Sequence, residues 1–184
     1  DKKNISTEQL AKLACHIEID KLNDPIGKQD QYIAAYGGLN CFTFKKNNRV
    51  IVEPLKISKK NLIKLDENLL LFFTGNYRRS KNILREQDQK TKKNEKKMIE
   101  NLNFTKKLGL KSKVYLENGE LNKFAELMNV HWEFKKSRSK IMTNDVISKS
   151  YNDGLKNGAI GGKLVGAGGG GFLMFYAKDK NKLR

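Results

Sequence analysis

The chain has 184 residues, enough for one domain or for pieces of two. Its 37 Lys and Arg residues exceed its 20 Asp and Glu residues and give a net charge of +17. No apolar run approaches the length of a membrane span, and no signal peptide precedes the first predicted helix. We therefore expect a soluble, cytoplasmic protein.

Most of the positive charge comes from Lys residues that are spread along the chain. Lysines without clustered Arg or interleaved aromatic residues read nucleic-acid bases poorly, so a solvated basic surface is the favoured interpretation. A basic nucleic-acid-binding module is the alternative from another functional class. Tight, steeply salt-dependent binding to duplex DNA would favour that alternative.

The cysteines Cys15 and Cys41 lie in otherwise apolar segments, and neither has a second Cys at metal-ligand spacing. They are predicted to be reduced thiols in the interior. His16 and His131 are far apart in the sequence, so a structural zinc site is not expected.

The first predicted element is an amphipathic helix. Ser6 and Gln9 have the spacing of a capping box, and one helix face carries Leu10, Leu13, Ala14 and Ile17.

A shorter helix is predicted over residues 29–36, and the Gly37-Gly38 pair stops it. A hairpin should follow, because residues 39–44 and 49–53 alternate and two asparagines between them supply a turn. Pro54 and the polar stretch 58–61 are predicted to connect two domains.

In the second half of the chain, residues 69–73 are predicted to form a buried strand. Helical spacing of apolar residues continues through the charged segment 78–107 and again through 121–136. Asn144 is expected to cap a last helix, which Gly158 ends. Strands, then helices, then strands without regular alternation predict an α+β fold.

The most distinctive segment is 161–176, which has the pattern of a strand, a glycine loop and a second strand. Gly166, Gly168 and Gly171 satisfy the G-x-G-x-x-G pattern of dinucleotide-binding proteins. That pattern must open a helix, whereas the apolar residues 172–177 predict a strand. A P-loop is also excluded, because Lys163 precedes the glycines and is followed by Leu.

Glycines permit positive φ and leave no side chain between the backbone and a ligand, so a row of N–H groups can approach an anion. The alternative is a tight hairpin in a crowded place. Four consecutive glycines cost much backbone entropy, which favours a functional loop.

Four segments, in the same order, resemble those of one kinase superfamily. Residues 163–171 resemble the third conserved motif of the GHMP kinases, named after galactokinase, homoserine kinase, mevalonate kinase and phosphomevalonate kinase. Residues 27–32, followed by Gly37-Gly38, resemble the Gly-x-x-Asp-Gln segment of the sugar-kinase branch. Residues 74–80 and 131–137 are similar to segments of the heptose 7-phosphate kinases and related fucokinase domains.

The resemblance implies a two-domain GHMP kinase fold. Residues 1–57 would form the C-terminal part of a domain similar to ribosomal protein S5 domain 2, and residues 58–184 a ferredoxin-like C-terminal domain. The family's Gly-Ser phosphate loop would precede the first residue, and its last helix and strand would follow the final one. On this expectation the 184 residues alone have little or no kinase activity.

By resemblance, the reaction is transfer of the γ-phosphoryl group of ATP to the anomeric hydroxyl of a sugar phosphate, namely D-glycero-D-manno-heptose 7-phosphate, for surface-glycan biosynthesis. Another GHMP sugar kinase, of the fucokinase or galactokinase type, is the alternative in the same class. ATP and Mg²⁺ are the expected cofactors. A small sugar phosphate is the expected partner, neither nucleic acid nor a membrane is expected, and a homodimer is left open.

The resemblance also implies site residues. Asp30 would be catalytic, because the first turn of a helix favours an ionised carboxylate that can accept or orient the sugar hydroxyl and lie near Mg²⁺. The loop predicted to border the nucleotide phosphates consists of Gly166, Ala167, Gly168, Gly169, Gly170 and Gly171. The predicted substrate contacts are Gln31, Gly37, Gly38, Thr74, Gly75, Arg78 and Ser80.

Overall fold

The computed structural model describes residues 5–75 and 80–183. The chain divides into two compact units, Asp1–Lys56 and Ile57–Arg184. Each unit combines helices with antiparallel strands, which confirms the predicted α+β class.

The first unit is a helical segment followed by a hairpin. Its elements are α1 (Thr7–Cys15), a π-helix (His16–Lys21), α2 (Gln29–Tyr36), β1 (Asn40–Phe44) and β2 (Val50–Pro54). The predicted bounds of α2 are confirmed, as is the hairpin with its turn at Asn48, which has a φ of 63°.

The N-terminus of α1 carries the predicted capping box, since the Gln9 amide donates to Ser6 Oγ and Gln9 Oε1 accepts from the Ser6 amide. The face that packs in the interior differs from the predicted one. Ala11 and Cys15 are buried with Tyr32 of α2, while the predicted apolar face is about half exposed. Small side chains face α2 because they let the large Tyr32 ring approach α1 closely.

The second unit is a three-stranded sheet with five helices among the residues that the structure describes. Its elements are α3 (Lys59–Asn68), β3 (Leu69–Phe73), α4 (Ser80–Lys92), α5 (Lys96–Glu117), α6 (Leu121–Lys136), α7 (Asp145–Lys156), β4 (Gly161–Leu164) and β5 (Phe172–Tyr176). The strand order is β3-β5-β4, and both ladders are antiparallel.

The core of the second unit lies on one face of this sheet. Trp132 of α6 and Tyr151 of α7 pack there against Phe175 of β5. On the opposite face Leu71 and Phe73 are 62% and 42% exposed, because no element within residues 5–75 and 80–183 covers them. The prediction of a fully buried β3 is therefore wrong, since successive side chains of a strand point to opposite faces and only one face is covered.

The predicted connection between two domains lies at the boundary of the two units, which falls between Lys56 and Ile57, but its polar stretch already belongs to α3. Ser58 caps this helix by accepting a hydrogen bond from the Asn61 amide at 3.2 Å. The predicted helical character of the charged segment is confirmed from Ser80 onward, as two helices that are separated at Asn94, where φ is 52°. A left-handed residue interrupts the helical hydrogen bonds, and Asn tolerates that conformation better than most side chains.

The predicted helix over 121–136 coincides with α6, and Asn144 caps α7 by accepting from the Ile147 amide at 2.9 Å. None of the helices within residues 5–75 and 80–183 combines the length and the apolar character that crossing a membrane requires.

Candidate active site

Asp30 is the second residue of α2, and its side chain is exposed. The first turn of a helix presents unpaired N–H groups and the positive end of the helix dipole, which attract negative charge. Asp30 shares a surface depression with Glu18 and Ala34 of the same unit. Its carboxylate is therefore available to accept a hydrogen bond or a proton from a bound hydroxyl group.

The Gln31 side chain lies in the interior of the first unit. The residue is only 5% exposed, and its Nε2 donates to Glu18 Oε2 at 2.8 Å. Its Oε1 lies 4.0 Å from Cys15 Sγ, which donates a weak hydrogen bond to it. These contacts fix the first turn of α2 and therefore the direction of the neighbouring Asp30.

Gly37 and Gly38 end α2, and both have positive φ, at 64° and 63°. The Gly37 amide donates to the Ile33 carbonyl at 2.8 Å, and Asn40 Nδ2 donates to the Gly37 carbonyl at 2.5 Å. Left-handed backbone turns the chain from the helix into β1 without a Cβ clash. The pair therefore places the hairpin relative to α2.

Among the residues that the structure describes, no group of three or more His, Cys, Asp or Glu side chains could hold a metal ion. Mg²⁺ that binds together with a nucleotide needs only one or two protein carboxylates, because phosphates and water supply its other ligands. Asp30 and Glu18 line the same depression, so the first unit offers oxygen donors that fit such an ion.

The glycine loop joins β4 to β5 in the second unit. A hydrogen bond of 2.9 Å from the Val165 amide to the Phe172 carbonyl closes its base. Gly166, Gly168, Gly169 and Gly171 all have positive φ, from 75° to 114°. Such a sequence of left-handed residues explains why glycines occupy this loop.

Most amides of this loop have no acceptor among the residues that the structure describes. Across residues 5–75 and 80–183, only the Gly169 amide of the six loop residues donates to the protein, at 2.8 Å to the Met142 carbonyl. A Cβ at Gly166 or Gly171 would meet nothing within 4 Å, so a ligand can approach the backbone there. Free N–H groups in a left-handed backbone form an anion-binding concavity.

Gly168 has a second reason to be glycine. A Cβ at this position would lie 2.0 Å from Met142 Sδ, and the residue has a φ of 114°. The loop is thus seated directly on the buried Met142 side chain.

Thr74 follows β3 and contacts the glycine loop, since its amide donates to the Gly171 carbonyl at 2.8 Å. Its hydroxyl is buried and has no hydrogen-bond partner in the described part of the chain. Thr74 also lines a cavity of about 490 Å³ together with Asp153 and Lys182. Gly75, the next residue, has a φ of 75°.

The structure therefore brings Thr74, of the predicted substrate contacts, to the predicted phosphate loop. Arg78 lies outside the described residues. Ser80 is the first residue of α4, and its side chain also lies outside the description.

Sequence reasoning missed a set of basic residues near the loop, of which Lys135 is buried and Arg138 and Lys163 are half-buried. Lys135 is 7% exposed, and its Nζ donates to the carbonyls of Leu164, at 3.2 Å, and Gly166. Burial, with Lys163 and Arg138 nearby, lowers the pKa of Lys135 from 10.5 to about 7. A sequence signal existed, because this lysine continues the buried stripe of α6, which is Leu121, Ala125, Met128 and Trp132.

Arg138 is held by polar groups of α5. Its Nε donates to Asn101 Oδ1 at 2.8 Å, and its guanidinium also donates to Thr105 Oγ1 at 2.6 Å. Asn101 in turn donates to the Phe134 carbonyl at 2.6 Å and to Ser137 Oγ at 2.9 Å. This network fixes the turn that leads from α6 to Met142, on which the loop is seated.

His131 of α6 provides a test of this basic environment. Burial, followed by the charges of Lys163, Lys135 and Arg138, lowers its pKa from 6.5 to about 3. Below pH 6.5 the unfolded chain binds a proton that the folded chain does not, so stability falls as the pH falls toward 3. Between about pH 7 and about pH 4 we expect His131 to account for a loss of about 3 kcal/mol in the free energy of unfolding.

The measurement is urea unfolding of the wild type and of His131→Gln at both pH values. The variant, which cannot be protonated, should lose less stability on acidification. Observation of an NMR titration of the folded His131 ring near its ordinary pKa would contradict this prediction.

Comparison with known proteins relates both units to one enzyme family. Residues 112–184 match the family model described as GHMP kinases C terminal. The chain is 36% identical over 174 residues to the D-glycero-alpha-D-manno-heptose 7-phosphate kinase of Campylobacter jejuni, an alignment that covers 95% of this chain and 51% of that protein. It is 28% identical over 182 residues to the bifunctional fucokinase/GDP-fucose pyrophosphorylase of Arabidopsis thaliana, covering 97% of this chain and 17% of that one.

A solved structure shows the same relationship. The crystal structure of a D-glycero-D-manno-heptose 1-phosphate kinase from Bacteroides thetaiotaomicron superposes with a TM-score of 0.72 at 28% identity, covering 97% of this chain and 47% of that chain. Lactococcus lactis galactokinase, at 17% identity and a TM-score of 0.72, shares the fold over 97% of this chain and 53% of its own. The chain thus spans about half the length of the heptose kinase relatives that it matches.

Proposed function

We propose that the protein containing this chain is a GHMP kinase that transfers the γ-phosphoryl group of ATP to a hydroxyl group of a sugar phosphate, because residues 112–184 match the model of the GHMP kinase C-terminal domain and the chain is 36% identical to a heptose 7-phosphate kinase. The proposed acceptor is the anomeric hydroxyl of D-glycero-D-manno-heptose 7-phosphate, since the matched relative of Campylobacter jejuni is named a heptose 7-phosphate kinase. A role in making nucleotide-activated heptose for surface glycans, in the cytoplasm where ATP is supplied, is part of the same proposal.

The observation that carries the proposal is the set of unpaired amides in the glycine loop. Phosphoryl transfer passes through a transition state with negative charge spread over the oxygens of the transferred group, and oriented N–H donors offset that charge. The open space beside Gly166 and Gly171 admits phosphate oxygens to the backbone. We assign this loop to the triphosphate of ATP.

In the first unit, Asp30 is assigned to the acceptor hydroxyl. An exposed carboxylate in the first turn of α2 can accept the proton that the hydroxyl loses as its oxygen attacks phosphorus. Gln31 is assigned to orienting α2 through Glu18, and Gly37 and Gly38 to shaping the backbone at the other end of that helix. Mg²⁺, which Asp30 and Glu18 could ligate, would neutralise phosphate charge.

Thr74, Gly75, Arg78 and Ser80 are assigned to the substrate's own phosphate, because Ser80 is the first residue of α4 and helix N-termini favour anions. We also assign residues 1–57 to the N-terminal kinase domain and residues 58–184 to the C-terminal one.

The test is a phosphoryl-transfer assay with the protein that contains this chain. ATP would be offered with heptose 7-phosphate, fucose, galactose and mevalonate, and products would be identified by ³¹P NMR. We expect heptose 7-phosphate to be used with the highest kcat/KM and to give an anomeric phosphate. A higher kcat/KM for fucose or galactose would contradict the proposed substrate. Absence of transfer to any of the four acceptors would contradict the proposed function.

A further inference from the structure

The side chain of Lys135 reaches from the C-terminal end of α6 to the junction of β4 and the glycine loop. Its Nζ donates hydrogen bonds to the carbonyl oxygens of Leu164, the last residue of β4, and Gly166, the first glycine of the loop. These two acceptors lie on either side of Val165, where the chain leaves the sheet. One buried ammonium thus bridges the point at which the strand becomes the loop.

The surroundings of this ammonium make its position costly. Among the described residues, no carboxylate forms an ion pair with Lys135, and the nearby charges that act on it are those of Lys163 on β4 and Arg138 after α6. His131, one turn earlier on α6, also faces these cations. A buried charge without a counter-ion is unfavourable unless its hydrogen bonds offset the loss of water.

Three contacts together hold the loop. Lys135 holds the Gly166 carbonyl, the Met142 carbonyl accepts from the Gly169 amide, and the Thr74 amide donates to the Gly171 carbonyl. The Met142 and Thr74 contacts are made by the backbone. The Lys135 contact is therefore the one of the three that a side-chain substitution can remove.

We propose that Lys135 is a positioning residue, whose buried ammonium fixes the first carbonyl of the glycine loop and so holds the free loop amides ready for an anion. Holding the Gly166 carbonyl sets the plane of the following peptide, whose N–H belongs to Ala167. This inference rests on the proposed function only for the identity of the anion. In the proposed function, that anion is the triphosphate of ATP.

The geometry also distinguishes this role from direct chemistry. Lys135 is buried, and its Nζ is engaged by two main-chain carbonyls. A nucleophile or general base needs a free lone pair within reach of the substrate. Lys135 therefore acts through the loop.

The first experiment measures the loop in the 184-residue chain without any substrate. Lys135→Met keeps the length and apolar stem of the side chain but removes the donors. We expect hydrogen exchange of the Gly169 amide, which donates to the Met142 carbonyl, and of the Thr74 amide, which donates to the Gly171 carbonyl, to be at least about tenfold faster in this variant, because the charged hydrogen bond that holds the loop is lost. The melting temperature should not fall, because a buried charge is removed as well.

The matched control is Lys136→Met, at the next position, where the ammonium pairs with the exposed Glu133 at 2.7 Å. This variant should leave the loop exchange rates unchanged. Equal exchange rates in Lys135→Met and the wild type would overturn the proposal. So would a general rise in exchange across the second unit in Lys135→Met, because the lysine would then support the whole fold.

The second experiment follows pH. The pKa of Lys135 is about 7, so the ammonium loses a proton, and part of its donor strength, as the pH rises through that value. Chemical shifts of the Gly166 and Ala167 amides should titrate with the same midpoint as Lys135 Nζ in the wild type and in Lys136→Met. They should not titrate in Lys135→Met, and a midpoint that persists in that variant would contradict the proposal.

The third experiment uses the protein that contains this chain. We expect Lys135→Met to lower kcat/KM for ATP about 100-fold through a small displacement of the loop, while KM for the sugar phosphate stays near the wild-type value. Unchanged kcat/KM for ATP in an active enzyme would overturn the proposal while leaving the kinase function intact. Faster loop exchange in Lys135→Met, combined with a wild-type protein that transfers no phosphate, would instead contradict the kinase function alone.

Discussion

Replacing Asp30 by Asn is expected to lower kcat of the protein that contains this chain about 1,000-fold, the range found when a general base is removed. Asn has nearly the same shape but cannot accept the proton of the acceptor hydroxyl. The Asp30 side chain is exposed at the start of α2, so the substitution should leave the fold unchanged. Turnover of heptose 7-phosphate and ATP, together with circular dichroism, measures both effects.

Asp66→Asn is the matched control, because Asp66 is also an exposed helical carboxylate and lies in α3. This variant should keep full turnover. If Asp30→Asn kept more than about a tenth of the wild-type kcat, its carboxylate could not be the proton acceptor. Gln31, and not Asp30, orients the first turn of α2. If Asp30→Asn loses turnover but keeps the wild-type circular dichroism spectrum, the loss is due to the missing carboxylate and not to a displaced helix.

Replacing Gly161 by Ala should cause the largest loss of stability among the changes considered. Gly161 begins β4, and a Cβ at this position would lie 1.8 Å from the Ala125 carbonyl oxygen and 2.4 Å from its carbonyl carbon. The clashing atoms belong to the backbone of α6, so a rotamer change cannot relieve the contact. We expect the free energy of unfolding to fall by about 3 kcal/mol or more, measured by urea unfolding.

Gly109→Ala is the control for this change. Gly109 lies inside α5, and a Cβ there would meet nothing within 4 Å. Alanine is a better helix former than glycine, so this variant should gain up to about 1 kcal/mol. A Gly161→Ala protein as stable as the wild type would mean that β4 and α6 are not packed as closely as the structure has them.

Features determined by a few neighbouring residues could be predicted from the sequence. The Ser6 capping box, the Asn48 turn and the Asn144 cap each depend on contacts within three or four residues, and all three form. The glycine loop between two strands is of the same kind, because a run of glycines is informative by itself.

Features that depend on tertiary packing could not be predicted. The buried side of α1 is determined by the Tyr32 ring, and the open face of β3 by the absence of a covering element among the described residues. The support of the glycine loop is also nonlocal, since Lys135 and Met142 are more than about 20 residues away from it in the sequence. Hydrophobic periodicity identifies the buried stripe of α6, but it does not predict which groups the Lys135 side chain contacts.

The pairing of β3 with β5 has a consequence for how the second unit folds. The two strands are joined by a connection of about 100 residues, from the start of α4 to the glycine loop. Helices such as α5 and α6 form from local contacts in microseconds, whereas closing so long a connection is entropically expensive and slow. On the ribosome, β3 emerges well before its strand partner has been translated. The bond between Thr74 and Gly171 at the end of this ladder therefore belongs to the last contacts to form.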